Sequence, residues 1–579
     1  MNLFSWLHCL VFAVAVSATL ATPSKTVQKR ESTSFVCTDG PDFVVNGSTF
    51  KYIGTDLYWL PALNTNEDIW YTLGNISAIG IKVIRVWAFN DVDTIPTNGT
   101  WFQLIQNGTT TVNEGPNGLQ KLDTVIEMAE QQGLYVILSL TNNWYPLPLL
   151  NNIIAPINSS LFTRDITLGT NNSLPRNYLS NDYGGMDLYV RQFGFDTHDQ
   201  FYTNETILNS FMNYTKQVVQ RYVNRTSVFS WELANDPRCN STLPSSSECT
   251  TETITTWHAT VAAYVKTIDP NHLVSSGNSG FMCMDCPKLY PLNPAPPPPA
   301  PSASPAPGKK RRSAPKPFTK EKLLRDREEA RRLNREASKR AGTLIENGIR
   351  IRGRWVSTAE RRQDSQDVGS AFDGSYGVDS QDILNIPEIG FGTFQFFPDQ
   401  QSYGPLDQNL SPFDQVVSEG NTWINSQAQS SAAVGKPVTL TGFGLVTQEN
   451  APYFIPFNMT TAPYGPAPTQ ATATANSTYG VTDQQQASAY TTWLNTGIAA
   501  GLNGIIQYQW GQSNLTAVTG TMISPDTTGE SSGSSSTGET TSPDTTGESP
   551  NDGYSTSPAT DGQVQQVLGN AVQQIAAAN

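Results

Sequence analysis

Trp231-Glu232-Leu233-Ala234-Asn235-Asp236-Pro237 is the stretch on which the fold turns. The run from Ser227 to Leu233 reads as a strand. Pro237, which has no amide hydrogen, closes off any ladder beyond it. The turn between them offers an amide, Asn235, and a carboxyl group, Asp236, just past a strand end. Working outward, Lys82–Trp87 and Tyr135–Leu140 read as strands, and Leu119–Gln132, Ile207–Tyr222 and Glu252–Lys266 as helices. Alternation of this kind implies right-handed βαβ units around a parallel sheet. Each strand ends in side chains able to reach a ligand: Arg85 and Trp87, then Asn142-Asn143-Trp144, then Asn235 and Asp236. Function gathered after strand C-termini is the mark of a (β/α)8 TIM barrel, so the fold class is α/β.

The pattern stops at 291–308, where Pro291, Pro294 and Pro296–Pro299 make a polyproline-like spacer. A charged stretch follows, opened by Lys309-Lys310-Arg311-Arg312. Thr319–Arg340 is helical in pattern but too poor in apolar residues to dock firmly. Strand-like runs resume with Thr393–Pro398, Val438–Gly444 and Gly504–Gly511. The repeat Ser-Pro-Asp-Thr-Thr-Gly-Glu-Ser occupies 524–531 and again 542–549, in a Ser/Thr-rich segment expected to be a disordered loop. Val564–Ala578 reads as a final helix. The expected organisation is therefore a signal peptide at 1–21 and a candidate propeptide at 22–30. Barrel at 31–290, an insertion at 291–373, barrel again at 374–523, a loop at 524–550 and a terminal helix at 551–579 complete it.

The net charge of −14 conceals an asymmetry: residues 309–362 hold 19 Lys and Arg against 7 acidic residues, leaving an acidic body. The short apolar run near the N-terminus and fourteen Asn-X-Ser/Thr sequons point to a secreted, glycosylated chain. Nucleic acid is not an expected partner, and neither is a membrane. Five cysteines remain after the leader. Cys239 and Cys249 bracket a short polar loop and are expected to pair. Cys283 and Cys286 have zinc-ligand spacing without a second pair to complete a site, so a local disulfide is the favoured reading. Cys37 is left unassigned. His198 and His258 are read as structural.

Several motifs together, Arg85–Asn90, Leu140–Trp144, Asp182–Asp187, Trp231–Pro237 and Gly435–Val438, resemble those of fungal endo-β-1,4-mannanases of glycoside hydrolase family 5. The resemblance covers residues 35–290 and 374–579. It implies a monomeric barrel without cofactor or metal that acts on β-mannan or a related plant polysaccharide by a retaining mechanism. That chemistry needs two carboxyl groups about 5–5.5 Å apart. By the same resemblance Asp236 stands at the acid/base position, one carbon short of the family's Glu. Gly442, in Gly442-Phe443-Gly444, stands where the family has its nucleophilic Glu. Gln395-Phe396-Phe397 replaces a His-X-Tyr, and Tyr508 stands for a Trp that floors the central subsite. Arg85, Trp87, Asn142, Trp144, Asn235, Gln395, Phe397 and Tyr508 are the expected substrate-binding residues.

These departures fit one another. Without a nucleophile, a Tyr hydroxyl at 397 would lose its partner, and an unpaired buried polar group costs about 1–3 kcal/mol. Asp236 is expected to be a poor general acid, since loss of the neighbouring carboxylate removes one influence that holds a carboxyl group protonated. A glycine at 442 is expected to leave room for a small external anion. Three readings remain open: a mannan-binding barrel with weak or lost hydrolysis; a working glycosidase with a relocated carboxylate such as Glu449 or an acid of Asp182–Asp187; and a wall or interaction protein acting through the basic insertion. Arg85 also admits two readings, a buried ion pair or a ligand contact.

Overall fold

The computed structural model describes residues 34–146, 176–292, 370–454, 480–523, 546–556 and 562–577, a few positions within them excepted, together with short strand backbones at 149–150, 153–154, 348–351, 354–357, 461–462 and 465–466. The expected leader and propeptide, the helix at 319–340 and the first copy of the Ser/Thr-rich repeat lie outside the described residues. Within the 291–373 insertion, the described backbone at Gly348–Ile351 and Arg354–Ser357 forms an antiparallel hairpin where the sequence suggested irregular or helical chain.

Eight parallel strands make the central sheet. They are β1 (Tyr52–Asp56), β2 (Val83–Trp87), β3 (Tyr135–Ser139), β4 (Val228–Glu232), β5 (Leu273–Ser275), β6 (Gly392–Phe396), β7 (Val438–Phe443) and β8 (Gly504–Gln507). Their order is β5-β4-β3-β2-β1-β8-β7-β6, and a parallel bridge from Ser275 to Phe391 joins the two edges. The result is a (β/α)8 barrel, as the sequence implied. Helices α1 (Asn66–Ala78), α2 (Leu119–Gln131), α3 (Glu205–Tyr222), α4 (Thr251–Ile268), α5 (Ser380–Leu384), α6 (Pro412–Val434), α7 (Asp483–Ala500) and α8 (Gly562–Ala577) follow the strands in turn.

Local chemistry sets the ends of these helices. Thr65 caps α1 by accepting from the Asp68 amide, and Ser411 with Pro412 starts α6. Gly435 ends α6 in the left-handed conformation, at φ 75°. Lys436, the next residue, sends its ammonium to the carbonyls of Leu384, Ile386 and Ile389 at 2.7–2.8 Å, tying the end of α5 to the start of β7. Burial lowers this amine to a pKa of about 8.

One end of the barrel is plugged and the other is open. An N-terminal antiparallel sheet (Cys37–Asp39, Asp42–Val45, Ser48–Thr49) sends Phe43 under the strands, edge-on to Phe229 and Phe391 at 5.0 and 5.1 Å. Tyr52, Val83, Ile137 and Ile506 complete that apolar layer. Among the described residues, the cleft lies at the opposite, C-terminal ends of the strands. Both expected disulfides are present, Cys239–Cys249 and Cys283–Cys286, and Cys37 belongs to neither.

Candidate active site

The cleft at the mouth encloses about 680 Å³, open to solvent. Beneath it lies a charged layer that begins with Arg85 at the end of β2. Its guanidinium is 2 % exposed. Nε and Nη2 grip both oxygens of Glu232, at 3.1 Å and 2.5 Å, and Nη1 donates to Asp56 Oδ2 at 2.9 Å. Burial alone would lower the guanidinium pKa, but the Glu232 and Asp56 carboxylates outweigh it and raise it. Burial raises Asp56 to about 7 despite the opposing pull of Arg85. The remaining reach of Nη2 goes to Asn235 Oδ1 at 2.8 Å. Arg85 is therefore a buried ion pair, and its far edge lines the cleft.

Asp236 sits in a left-handed turn at φ 55°, a conformation that Asp tolerates better than most residues. Its amide donates to the Gly277 carbonyl at 2.9 Å. Gly277 is required there, since a Cβ would fall 1.8 Å from the Ala234 oxygen. The Asp236 side chain is surrounded by donors. Trp144 Nε1 reaches Oδ2 at 2.9 Å, Arg238 Nη2 reaches Oδ2 at 2.5 Å, Arg238 Nε reaches Oδ1 at 3.2 Å, and the Ser279 hydroxyl also donates to Oδ1. Arg238 is in turn clasped by aromatic faces, 4.6 Å from Tyr376, 4.8 Å from Phe281 and 5.1 Å from Trp144.

Asn142 is a correction. It was expected to touch substrate, but it is fully buried under the cleft and is not among the residues that line it. It accepts from Asn235 Nδ2 at 2.8 Å and donates to Asn181 at 2.9 Å, so it positions cleft residues. His198 is structural, as read from the sequence. It bonds Asp187 at 2.6 Å and Asn143 at 2.8 Å behind the Arg238 turn. Although burial opposes it, this pairing holds the Asp187 carboxyl below its ordinary range.

The β6–β7 wall is different in kind. Gln395 donates to Asn235 Oδ1 at 3.0 Å. Phe397 is half-buried, and Gly442 lies against it. A Cβ built on Gly442 would stand 3.3 Å from Phe397 Cζ and 3.9 Å from Tyr508 Cβ. The Phe397 ring therefore crowds one side of the space expected for an external anion at this glycine, which lines the cleft. Neither suggested substitute carboxylate reaches the cleft: Glu449 is exposed outside it, and Asp187 is held by His198, Ser241 and Thr242. Asp182 accepts from the Asn177 amide at 2.6 Å and is not a lining residue.

Sequence reasoning missed Glu232, Asp56, Arg238, Ser279 and Asp552. Arg238, two residues past Asp236, and Glu232, an acid ending a strand in a chain whose neighbouring strand ends in Arg85, were visible signals. Asp552 had none. It follows the low-complexity segment, yet it lines the cleft beside Tyr508. Among the described residues no group of three or more His, Cys, Asp or Glu could hold a metal ion.

Residues 33–288 match the model of GH family 5 beta-mannosidase-like proteins. Over these residues the chain is similar to glycoside hydrolase family 5. It is 34% identical over 286 residues to mannan endo-1,4-beta-mannosidase A of Aspergillus aculeatus, covering 49% of this chain and 64% of that enzyme. It is 37% identical over 264 residues to mannan endo-1,4-beta-mannosidase F of Aspergillus clavatus, covering 45% of this chain and 50% of that one. The matches thus span from half to just under two thirds of those relatives' lengths. The fold extends further than the sequence match. The endo-1,4-beta-mannanase of Rhizomucor miehei superposes with a TM-score of 0.55 at 22% identity, over 94% of this chain and 99% of that one.

Proposed function

We propose that this chain is an extracellular barrel that binds β-mannan or a related polysaccharide in the mouth of its family-5 domain and hydrolyses it weakly or not at all. The observation that carries this reading is the pairing of Gly442 with Phe397. Retaining hydrolysis needs a carboxylate to form a bond to the anomeric carbon. At the position where the family resemblance places it, there is no side chain, and an aromatic ring occupies the space a longer one would need. The acid/base position is compromised as well. Asp236 accepts from Arg238, Trp144 and Ser279, and donating a proton to a leaving oxygen would mean breaking that ion pair. Support for binding comes from the aromatic and amide groups that line the cleft: Trp87, Trp144, Asn235 and Tyr508. The two disulfides and fourteen sequons support export to an oxidising compartment.

Calorimetry with mannohexaose, paired with a reducing-sugar assay on mannan, tests both halves. Heat of binding with little sugar release is expected. No heat and no retention on mannan would overturn the binding claim, and release at ordinary enzymatic rates would overturn the catalytic one. Azide added with an activated mannoside is expected to rescue Phe397→Ala better than the wild type, because removing the ring opens the space beside Gly442.

A second reading, a glycosidase with a displaced carboxylate, is favoured by one observation: Asp552 lines the same cleft as Asp236. Reducing-sugar release abolished by both Asp236→Ala and Asp552→Asn would select it.

A further inference from the structure

Tyr508, the aromatic residue at the floor of the cleft, is held by a group from a distant part of the chain. Its hydroxyl donates to Asp552 Oδ2 at 2.5 Å. Asp552 belongs to the described segment 546–556, which returns to the barrel mouth after the Ser/Thr-rich loop, with Thr556 bridging to Trp510. The same carboxyl oxygen accepts from the Ser180 hydroxyl at 3.0 Å, and Ser180 lies in the excursion between β3 and β4. Ser180 also offers its carbonyl to Trp87 Nε1 at 3.1 Å. One carboxylate therefore joins three elements that line the cleft: the residue after β8, the β3–β4 excursion and, through Ser180, the aromatic residue ending β2.

Asp552 is 8 % exposed, and its carboxyl group is held by the Tyr508 and Ser180 hydroxyls. A buried carboxyl group is costly and is rarely kept without a use. If the segment served only to cover the barrel, an apolar side chain would fill this place at lower cost. What the carboxylate adds is a charge-assisted bond to the Tyr508 hydroxyl, roughly twice as strong as a neutral one, which fixes the ring's orientation.

We propose that Asp552 is a positioning residue for carbohydrate binding, fixing the Tyr508 ring as the stacking platform of the cleft and clamping the Ser180 segment beside it. The inference rests on the reading of the cleft as a polysaccharide site. The ring is well placed for the role. It lies 5.4 Å from Phe397 and 5.6 Å from Tyr554, both edge-on, and 6.2 Å from Tyr58 in a stacked arrangement. A sugar ring laid on the remaining face would meet a platform that cannot tilt.

The clamp is sensitive to pH. Burial raises the Asp552 carboxyl to about 6, against the lowering effect of the Tyr508 and Ser180 donors. The titratable groups facing it are phenols, Tyr508, Tyr58 and Tyr178, with the Asp56 carboxyl acting on Tyr508 from below. Above about pH 6 Asp552 is a carboxylate and the platform is fixed. Below it the group is neutral, its bond to Tyr508 weakens and the platform loosens.

The test is mannohexaose calorimetry between pH 5.0 and 7.5 on the full chain, for wild type, Asp552→Asn and Ser180→Ala, with circular dichroism to establish folding. Wild-type affinity is expected to fall about three- to tenfold toward pH 5, in proportion to the loss of a charge-assisted bond. Asp552→Asn should bind weakly at every pH with no such profile, and Ser180→Ala, lacking one donor that stabilises the carboxylate, should move the midpoint upward. Asp552→Asn affinity within twofold of wild type at pH 7.5, or an unchanged pH profile in that variant, overturns the proposal and leaves the polysaccharide reading standing. If Asp552→Asn does not fold, the Ser180→Ala midpoint decides the matter. Absence of wild-type binding overturns both.

Discussion

The two walls of the cleft have opposite characters. On the β2–β4 side, Arg85, Glu232, Asp56, Asn235, Asp236 and Arg238 form a dense polar layer in which each charge meets its opposite. On the β6–β7 side the lining carries no charge: Phe397 and Gly442 lie against each other beside Gln400, Gln401 and Tyr403, and Gln395 reaches across to Asn235. Under the proposed reading, this contrast is what loss of a catalytic pair would leave. A polar network is stable when complete and costly when half complete, so removal of one carboxylate would favour an apolar replacement for its neighbours. The charges of the β2–β4 wall satisfy one another within that wall.

The largest break in this comparison is Glu232→Gln. It removes one of the two carboxylates that hold the buried Arg85 guanidinium, leaving Asp56 as its anionic partner, and urea unfolding should show a loss of about 3 kcal/mol. A loss below about 1 kcal/mol would mean that the polar wall is not what holds the mouth together. Next comes Gly442→Glu, where Phe397 must yield space. We expect destabilisation of about 1–3 kcal/mol with no gain in mannan hydrolysis, read by thermal unfolding and reducing-sugar release. Adding Phe397→Tyr to that variant sharpens the test. The restored hydroxyl has a carboxylate to meet, so a double-mutant cycle should give a favourable coupling of about 0.5–1 kcal/mol. An effect of similar size is expected of Ser279→Ala. It removes one of the donors around Asp236 and should lower stability by about 1 kcal/mol, measurable as a shift in Tm.

What the sequence revealed and what it hid divide along physical lines. Strands β2, β3, β4, β6, β7 and β8 were legible because each is built mainly of apolar or β-branched residues. β1 was not, since Gly54 interrupts Tyr52-Ile53-Gly54-Thr55-Asp56, and β5 has only three residues. Helices α6 and α7 are long but rich in Ser, Thr, Asn and Gln, with a weak apolar stripe that only the tertiary contacts reveal. At the site, the positions after β4, β6 and β7 could be placed because a motif surrounds them. The roles of Asn142 and Asp552 could not: a buried amide and an exposed one look alike in sequence. Asp552 reaches Tyr508 across 44 residues, most of them low-complexity.

The seam of the barrel bears on how the chain tolerates cutting. β5 and β6 meet through the single bridge Ser275–Phe391, and the Pro-rich, dibasic insertion lies between them in sequence. β8 pairs with β1 over four residues, and Val572 of α8 lies against Gly80 in the loop after α1. Both disulfides fall within the part that precedes the insertion. A protease acting at Lys309–Arg312 would therefore yield two fragments with no covalent tie among the described residues, interlocked around one barrel. The nicked protein should migrate as one species in its native state and as two once denatured, even without a reducing agent.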